Sequence, residues 1–232
     1  MIPLRHHLLT DVLTIGAPYP LVLAGWYAVR AHGLIPQVSP EASVEGPLEV
    51  ATESPEPMDR VAAVLRTGLT ERGWLVRPLE IDPLSARLLV TGVAGAEEQP
   101  VDVLKETLWQ RPVRTDLGPA LSVEDLIGTK VRALADRGTA RDLTDVYVAA
   151  AHWSFPDLEE QGRRHAWDEF DPADLQSRLE ATEMLDDREF TARGLDAESV
   201  PELRRWVRAW ADDIAERLLE EEALSPPADA DE

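Results

Sequence analysis

Cysteine is absent from the 232 residues, and lysine occurs only twice, as Lys105 and Lys130. Without cysteine the chain can form no disulfide, no thiolate zinc site and no cysteine nucleophile. No apolar run approaches the roughly 18 residues typical of a transmembrane helix. Asp11 interrupts the short apolar stretch near the N-terminus, which does not resemble a signal peptide. These absences predict a cytoplasmic protein without a membrane partner.

Positive charge is also scarce, because 23 basic residues face 44 acidic ones, for a net charge of −21. Residues 1–150 hold 14 basic and 20 acidic residues, whereas residues 151–232 hold 9 and 24. Such an acidic second half repels nucleic-acid backbones, so any contact with a polyanion is expected from the first half. The acidic half itself is either a solvated helical surface or a docking surface for a basic partner.

The hydrophobic periodicity changes along the chain and predicts an α+β fold. Short alternating or apolar segments, separated by turn residues, predict a small mixed sheet flanked by helices in residues 1–121. A capping-box pattern at Ser122 opens a stretch of helical periodicity, which predicts a helical domain over residues 122–224. Residues 225–232 have the composition of a disordered acidic tail.

Four residues along this order of elements have the types that chemistry on nucleoside triphosphates requires. Gly25 opens a helix after a strand, and Glu49 and Asp102 lie on strands. A glycine at a helix start lets phosphate oxygens approach backbone N–H groups, and carboxylates on neighbouring strands can hold Mg²⁺. Lys130, in a later helix, supplies a point charge for a triphosphate. We expect these groups to share one cleft, although glycine and carboxylates on strands are common.

A second cluster of charges lies in residues 127–147, IGTKVRALADRGTARDLTDVY. Lys130 and Arg137 are seven residues apart and share a helix face, and Arg141 precedes Asp145 by four residues on the next helix. The cluster is either a structural salt-bridge knot between two helices or a wall of mixed charge beside the sheet carboxylates.

With these features the chain resembles the AbiEii/AbiGii-type nucleotidyltransferase-like toxins, of the DNA polymerase β-like nucleotidyltransferase superfamily. The resemblance is carried by residues 21–34, 47–58, 82–92, 101–106 and 127–147. Its most specific part is a lysine helix followed by Arg-Asp-x-x-Asp, here Arg141-Asp142-Leu143-Thr144-Asp145. The resemblance implies a nucleotidyltransferase-like mixed sheet followed by helices. It also implies a Mg²⁺-dependent enzyme that transfers a nucleotide from an NTP to an acceptor such as tRNA, as the toxin of a toxin–antitoxin or phage-defence pair with a cognate antitoxin.

The resemblance also assigns roles to particular residues. It implies metal ligation by Glu49 and Asp102, and catalytic roles for these two residues together with Lys130 and Asp145. We predict nucleotide binding by Gly25, Trp26, Lys130, Arg137 and Arg141.

The sequence departs from the family pattern at the site itself. A bulky Trp26 stands where the family has a second small residue, and the Asp-x-Asp strand motif reads Pro47-Leu48-Glu49. One carboxylate is therefore missing, which lowers the charge available to hold Mg²⁺. A catalytically impaired protein with a binding or regulatory role is the alternative to an active transferase. A transferase acting on cationic aminoglycoside-type molecules is a further alternative, since the second half is acidic.

Overall fold

The computed structural model of this chain describes residues 3–34, 46–92, 98–150, 152–166, 168–192 and 195–224. The chain divides into two compact units, Met1–Leu126 and Ile127–Glu232. The α+β fold class is confirmed. The domain limits predicted after residues 121 and 224 stay predictions, and the predicted tail, 225–232, lies outside the described residues.

The first unit contains a seven-stranded mixed sheet in the order β3-β4-β5-β2-β1-β7-β6. Parallel pairing joins β2 to β5 and β1 to β7, and the other neighbours are antiparallel. In β2 every side chain except that of Glu49 is buried, and Val101, Asp102 and Val103 of β5 are buried in succession, so the central strands are covered on both faces. The strands are β1 (Val22–Leu23), β2 (Leu48–Thr52), β3 (Leu75–Ile81), β4 (Ser85–Thr91), β5 (Glu98–Lys105), β6 (Val113–Thr115) and β7 (Gly118–Ala120).

In the described part of the first unit three helices lie wholly within it: α1 (Pro3–Ile15), α2 (Gly25–Ala31) and α3 (Met58–Glu71). The sequence analysis did not predict α1, which is fastened by a buried carboxylate. Asp11 is 8% exposed and accepts hydrogen bonds from Arg72 Nη1 at 2.7 Å and Trp74 Nε1 at 2.8 Å. Since a buried carboxylate needs such partners, these bonds fix α1 against the end of α3.

Strand β3 forms one edge of the sheet and displays apolar side chains to solvent, with Leu75 65%, Leu79 45% and Ile81 43% exposed. Pro78 lies in the middle of this strand, and the pairing register with β4 shifts between Pro78 and Glu80. A proline without an N–H group and a bulge are both typical of sheet edges.

The second unit is helical in its described part, apart from turns. Helix α4 (Val123–Arg137) begins before the division between the units and continues beyond it. The remaining helices are α5 (Ala140–Ala149), α6 (Phe155–His165), α7 (Pro172–Ala181), α8 (Asp187–Thr191) and α9 (Ser199–Leu224). Phe155 of α6 stacks on Trp210 of α9 with ring centroids 5.6 Å apart. The buried Glu159 accepts hydrogen bonds from Trp210 Nε1 and Arg217, which satisfies its charge.

Helices of the described residues are too short or too polar to span a membrane.

Candidate functional site

Four charged residues form a row across four adjacent strands of the sheet. Backbone register places Glu80 of β3 opposite Arg87 of β4, Arg87 opposite Asp102 of β5, and Asp102 opposite Glu49 of β2. Residues opposite one another on neighbouring strands project from the same face, so these side chains are neighbours. We refer to Glu80, Arg87, Asp102 and Glu49 as the charged row. The parallel pairing of β2 with β5 therefore brings the predicted metal ligands Glu49 and Asp102 together.

The row continues into the turn that starts α2. The backbone N–H of Ala24 donates to the carbonyl oxygen of Glu49 at 3.0 Å, which holds the end of β1 beside β2. The next residue, Gly25, has φ +55°, and a Cβ atom there would lie 2.1 Å from Oε2 of Glu49. Glycine is required at this position for two reasons. Other residues disfavour a left-handed backbone, and any side chain would collide with the Glu49 carboxylate. Gly25, as predicted from its place after a strand, thus adjoins the candidate carboxylates.

Arg87 holds Asp102 by two parallel hydrogen bonds. Nε donates to Oδ1 at 2.7 Å and Nη2 donates to Oδ2 at 2.6 Å. The side chain of Asp102 is 10% exposed, whereas that of Arg87 is 51% exposed. The hydrogen bond to Asp102 raises the pKa of the Arg87 guanidinium, and the charges of Asp102, Glu80 and Glu49 raise it further. The guanidinium therefore remains charged at any pH at which the protein is folded.

Trp26 follows Gly25 in α2, and its indole has an unsatisfied donor. The Nε1 atom is buried and has no hydrogen-bond acceptor among the described residues. Buried donors without a partner are rare in folded proteins and call for an explanation. This donor lies one residue from the glycine that adjoins Glu49, in the segment where the sequence predicts nucleotide contacts.

The remaining predicted residues lie in the second unit and pair there with one another. Lys130 of α4 donates to Oδ2 of Asp145 in α5 at 2.5 Å, and the two side chains are 9% and 7% exposed. Arg137 forms a bidentate pair with Asp142, which also accepts from the hydroxyl of Thr139. Arg141 is half-buried. These contacts match the salt-bridge interpretation of residues 127–147, and the predicted catalytic and nucleotide-binding roles of these residues stay predictions.

A divalent cation fits the charged row in charge and in donor type. Three carboxylates and one guanidinium leave a net charge of −2, which one divalent ion balances. Mg²⁺ commonly takes one or two protein carboxylates and completes its shell with water and substrate phosphates, so Glu49 and Asp102 are sufficient ligands. No group of three or more His, Asp or Glu side chains in the described ranges is arranged to hold a metal. Ligation by Asp102 requires Arg87 to release at least one of its oxygens.

The sequence analysis missed Arg87 and Glu80. Arg87 lies in the predicted strand ARLLVTG, where nothing marks it beyond its charge among apolar neighbours. A usable signal was that charge itself, since an arginine between Ala86 and Leu88 on a strand favours an anionic cross-strand neighbour on the same face.

Comparison with known proteins identifies a family and a fold. The model of the family described as "Nucleotidyl transferase AbiEii toxin, Type IV TA system" matches residues 76–228, more than half of the chain. Among curated proteins no match is found. The crystal structure of JHP933 from Helicobacter pylori aligns with a TM-score of 0.53 and 19% identity, covering 95% of this chain and 97% of that one. MenT4, a nucleotidyltransferase toxin from Mycobacterium tuberculosis H37Rv, aligns with a TM-score of 0.44 and 15% identity over 90% of each chain.

Proposed function

Because this chain belongs to the AbiEii family of nucleotidyl transferase toxins from type IV toxin–antitoxin systems, we propose that it transfers a nucleotide from an NTP to an acceptor such as tRNA. The observation that carries the proposal is the pairing of Glu49 with Asp102 on neighbouring strands, with Gly25 at the start of α2 beside Glu49. In this proposal the chain acts in the cytoplasm, and the family membership implies an antitoxin partner.

Each residue of the site has a chemical role in this proposal. Glu49 and Asp102 would hold Mg²⁺, which when bound supplies positive charge to the phosphate oxygens. Gly25 lets the Glu49 carboxylate lie against the backbone at the start of α2, because it has no side chain. The buried Nε1–H of Trp26 is available to donate a hydrogen bond to the nucleotide.

The test is a transfer assay with the full chain. Purified protein is incubated with Mg²⁺, each labelled NTP in turn and total tRNA, and labelled RNA and released pyrophosphate are measured. We expect label transfer that Glu49→Gln and Asp102→Asn abolish. Glu71→Gln and Asp136→Asn make the same chemical changes at exposed positions and should leave transfer unchanged. Absence of transfer with every NTP by folded protein contradicts the proposal.

A catalytically impaired protein is the second candidate, and one observation favours it. Both Asp102 oxygens are engaged by Arg87, so the site as arranged has an internal cation instead of an open ligand position. The bulky Trp26 beside Gly25 points the same way. In this case the chain would act through a partner, for which the acidic second half is a suitable surface. Calorimetry with the four NTPs and Mg²⁺ separates the two, because nucleotide binding without transfer supports the impaired form.

A further inference from the structure

Arg87 is the cation of the charged row, and half of its side chain is exposed to solvent. Its guanidinium neutralises one of three carboxylates in the charged row. A charged side chain with this exposure can change partners without crossing the core, unlike the buried Lys130. A divalent ion that binds Asp102 would therefore have to displace this guanidinium.

The planar guanidinium also has a second use at this position. It forms bidentate hydrogen bonds with phosphate as readily as with carboxylate. Arg87 is on the same face of the sheet as Glu49, and the carboxylate of Glu49 contacts the position of Gly25. A triphosphate bound beside Asp102 would lie next to this arginine, because the two side chains are cross-strand neighbours in direct contact.

We propose that Arg87 is a substrate-binding residue that exchanges partners. It holds Asp102 before a divalent cation binds, releases Asp102 to the cation, and then binds the triphosphate. This inference rests on the proposed nucleotide site and adds to it a residue that the family resemblance does not assign. Charge balance explains the order, since the row has a net charge of −2 and repels a triphosphate until a divalent cation has entered.

The exchange predicts opposite effects of one substitution on two ligands. In Arg87→Gln, Mn²⁺ measured by electron paramagnetic resonance should bind about tenfold to a hundredfold more tightly than in the unmodified protein. That gain is expected because a charge-assisted hydrogen-bonded pair no longer has to be broken. At Mn²⁺ concentrations that saturate both proteins, inorganic tripolyphosphate measured by calorimetry should bind about tenfold more weakly to the variant. Arg87→Lys should recover part of the tripolyphosphate affinity, because it restores the charge without the fork.

Two controls separate this exchange from a general change in charge. Arg77→Gln removes the same charge from the exposed edge strand and should leave both affinities as in the unmodified protein. Adding Asp102→Asn to Arg87→Gln should remove the gained Mn²⁺ affinity. A further readout is the melting temperature, which Mn²⁺ should raise more in Arg87→Gln than in the unmodified protein.

Several results overturn the proposal. These are an unchanged Mn²⁺ affinity in Arg87→Gln, an equal gain in Arg77→Gln, or no loss of tripolyphosphate affinity. Failure of the unmodified protein to bind tripolyphosphate with Mn²⁺ overturns it as well. The transfer assay is independent of these measurements. If both affinities change as expected but no nucleotide is transferred, the exchange is supported and the proposed transfer is contradicted. If nucleotide is transferred but the affinities do not change as expected, the transfer is supported and the exchange is contradicted.

Discussion

Two carboxylate–cation pairs in this chain share the same chemistry but differ in surroundings. In the second unit, Lys130 and Asp145 bury both partners, with side chains 9% and 7% exposed. In the first unit, Asp102 is nearly as buried, but its partner Arg87 is 51% exposed. A buried pair is expensive to break because a lone charge is left without water. When a half-exposed cation leaves, water can take its place. The Arg87–Asp102 pair is therefore suited to exchanging partners, and the Lys130–Asp145 pair to stabilising the fold.

The largest effect should come from breaking the buried pair. Lys130→Met leaves Asp145 charged and uncompensated, which should lower the free energy of unfolding by about 3–5 kcal/mol. The double variant Lys130→Met/Asp145→Asn should recover much of this loss, because the isolated charge is gone. Denaturant titration of the three proteins checks both values. A loss under about 1 kcal/mol in Lys130→Met would mean that the pair is not the structural element described here.

The next effect concerns the contact between Gly25 and Glu49. Gly25→Ala combines a left-handed backbone with a collision at Glu49, and we expect a loss of about 3 kcal/mol in unfolding free energy. Gly33→Ala is the matched control, because φ there is +66° and, chain neighbours aside, no atom of the described residues lies within 4 Å of the added carbon. It should cost only about 1–2 kcal/mol. Equal losses in the two variants would show that the Glu49 contact has no energetic weight.

A smaller effect is expected from the exposed cation. Arg87→Gln should lower the free energy of unfolding by about 2 kcal/mol in the absence of divalent ions, because it removes a charge-assisted pair whose cation is partly screened by solvent. Chemical denaturation in chelator-treated buffer measures this loss. The comparison of the two pairs fails if Arg87→Gln destabilises the protein as much as Lys130→Met does.

The smallest effect is expected at Trp26. Trp26→Phe keeps most of the ring and removes a buried donor that has no acceptor among the described residues. Losing an unsatisfied donor offsets part of the lost packing, so the stability should change by less than about 1 kcal/mol. Trp210→Phe removes a donor that is bonded to the buried Glu159, and should cost about 1–3 kcal/mol. Thermal melts of the two variants give this difference directly.

Local patterns account for the parts of the fold and site that the sequence predicted. Alternation identified the strand that contains Glu49, and the strand-to-helix glycine identified Gly25. The helix of Lys130 and the salt-bridge interpretation of residues 127–147 followed from spacing of three, four and seven residues. The family resemblance and the α+β fold class are confirmed.

Strand order and register account for what was missed. Arg87 and Asp102 are fifteen residues apart, and Glu49 precedes Asp102 by fifty-three residues, so only the pairing of β4, β5 and β2 makes them neighbours. Helix α1 was missed because its tether, Asp11, finds Arg72 and Trp74 more than sixty residues later. No short stretch of sequence contains all the partners of either set of contacts, so local patterns could not predict them.

The proline and register shift in strand β3 have a consequence for how this chain behaves when it is crowded. An outermost strand with three solvent-facing leucine and isoleucine side chains would ordinarily act as a template on which another chain could add itself, and repetition of that step gives fibrils. Pro78 offers no amide hydrogen, and the irregular spacing at Glu80 puts the following donors out of step with a straight incoming strand. The protein can thus expose apolar side chains on its edge strand without polymerising through that strand.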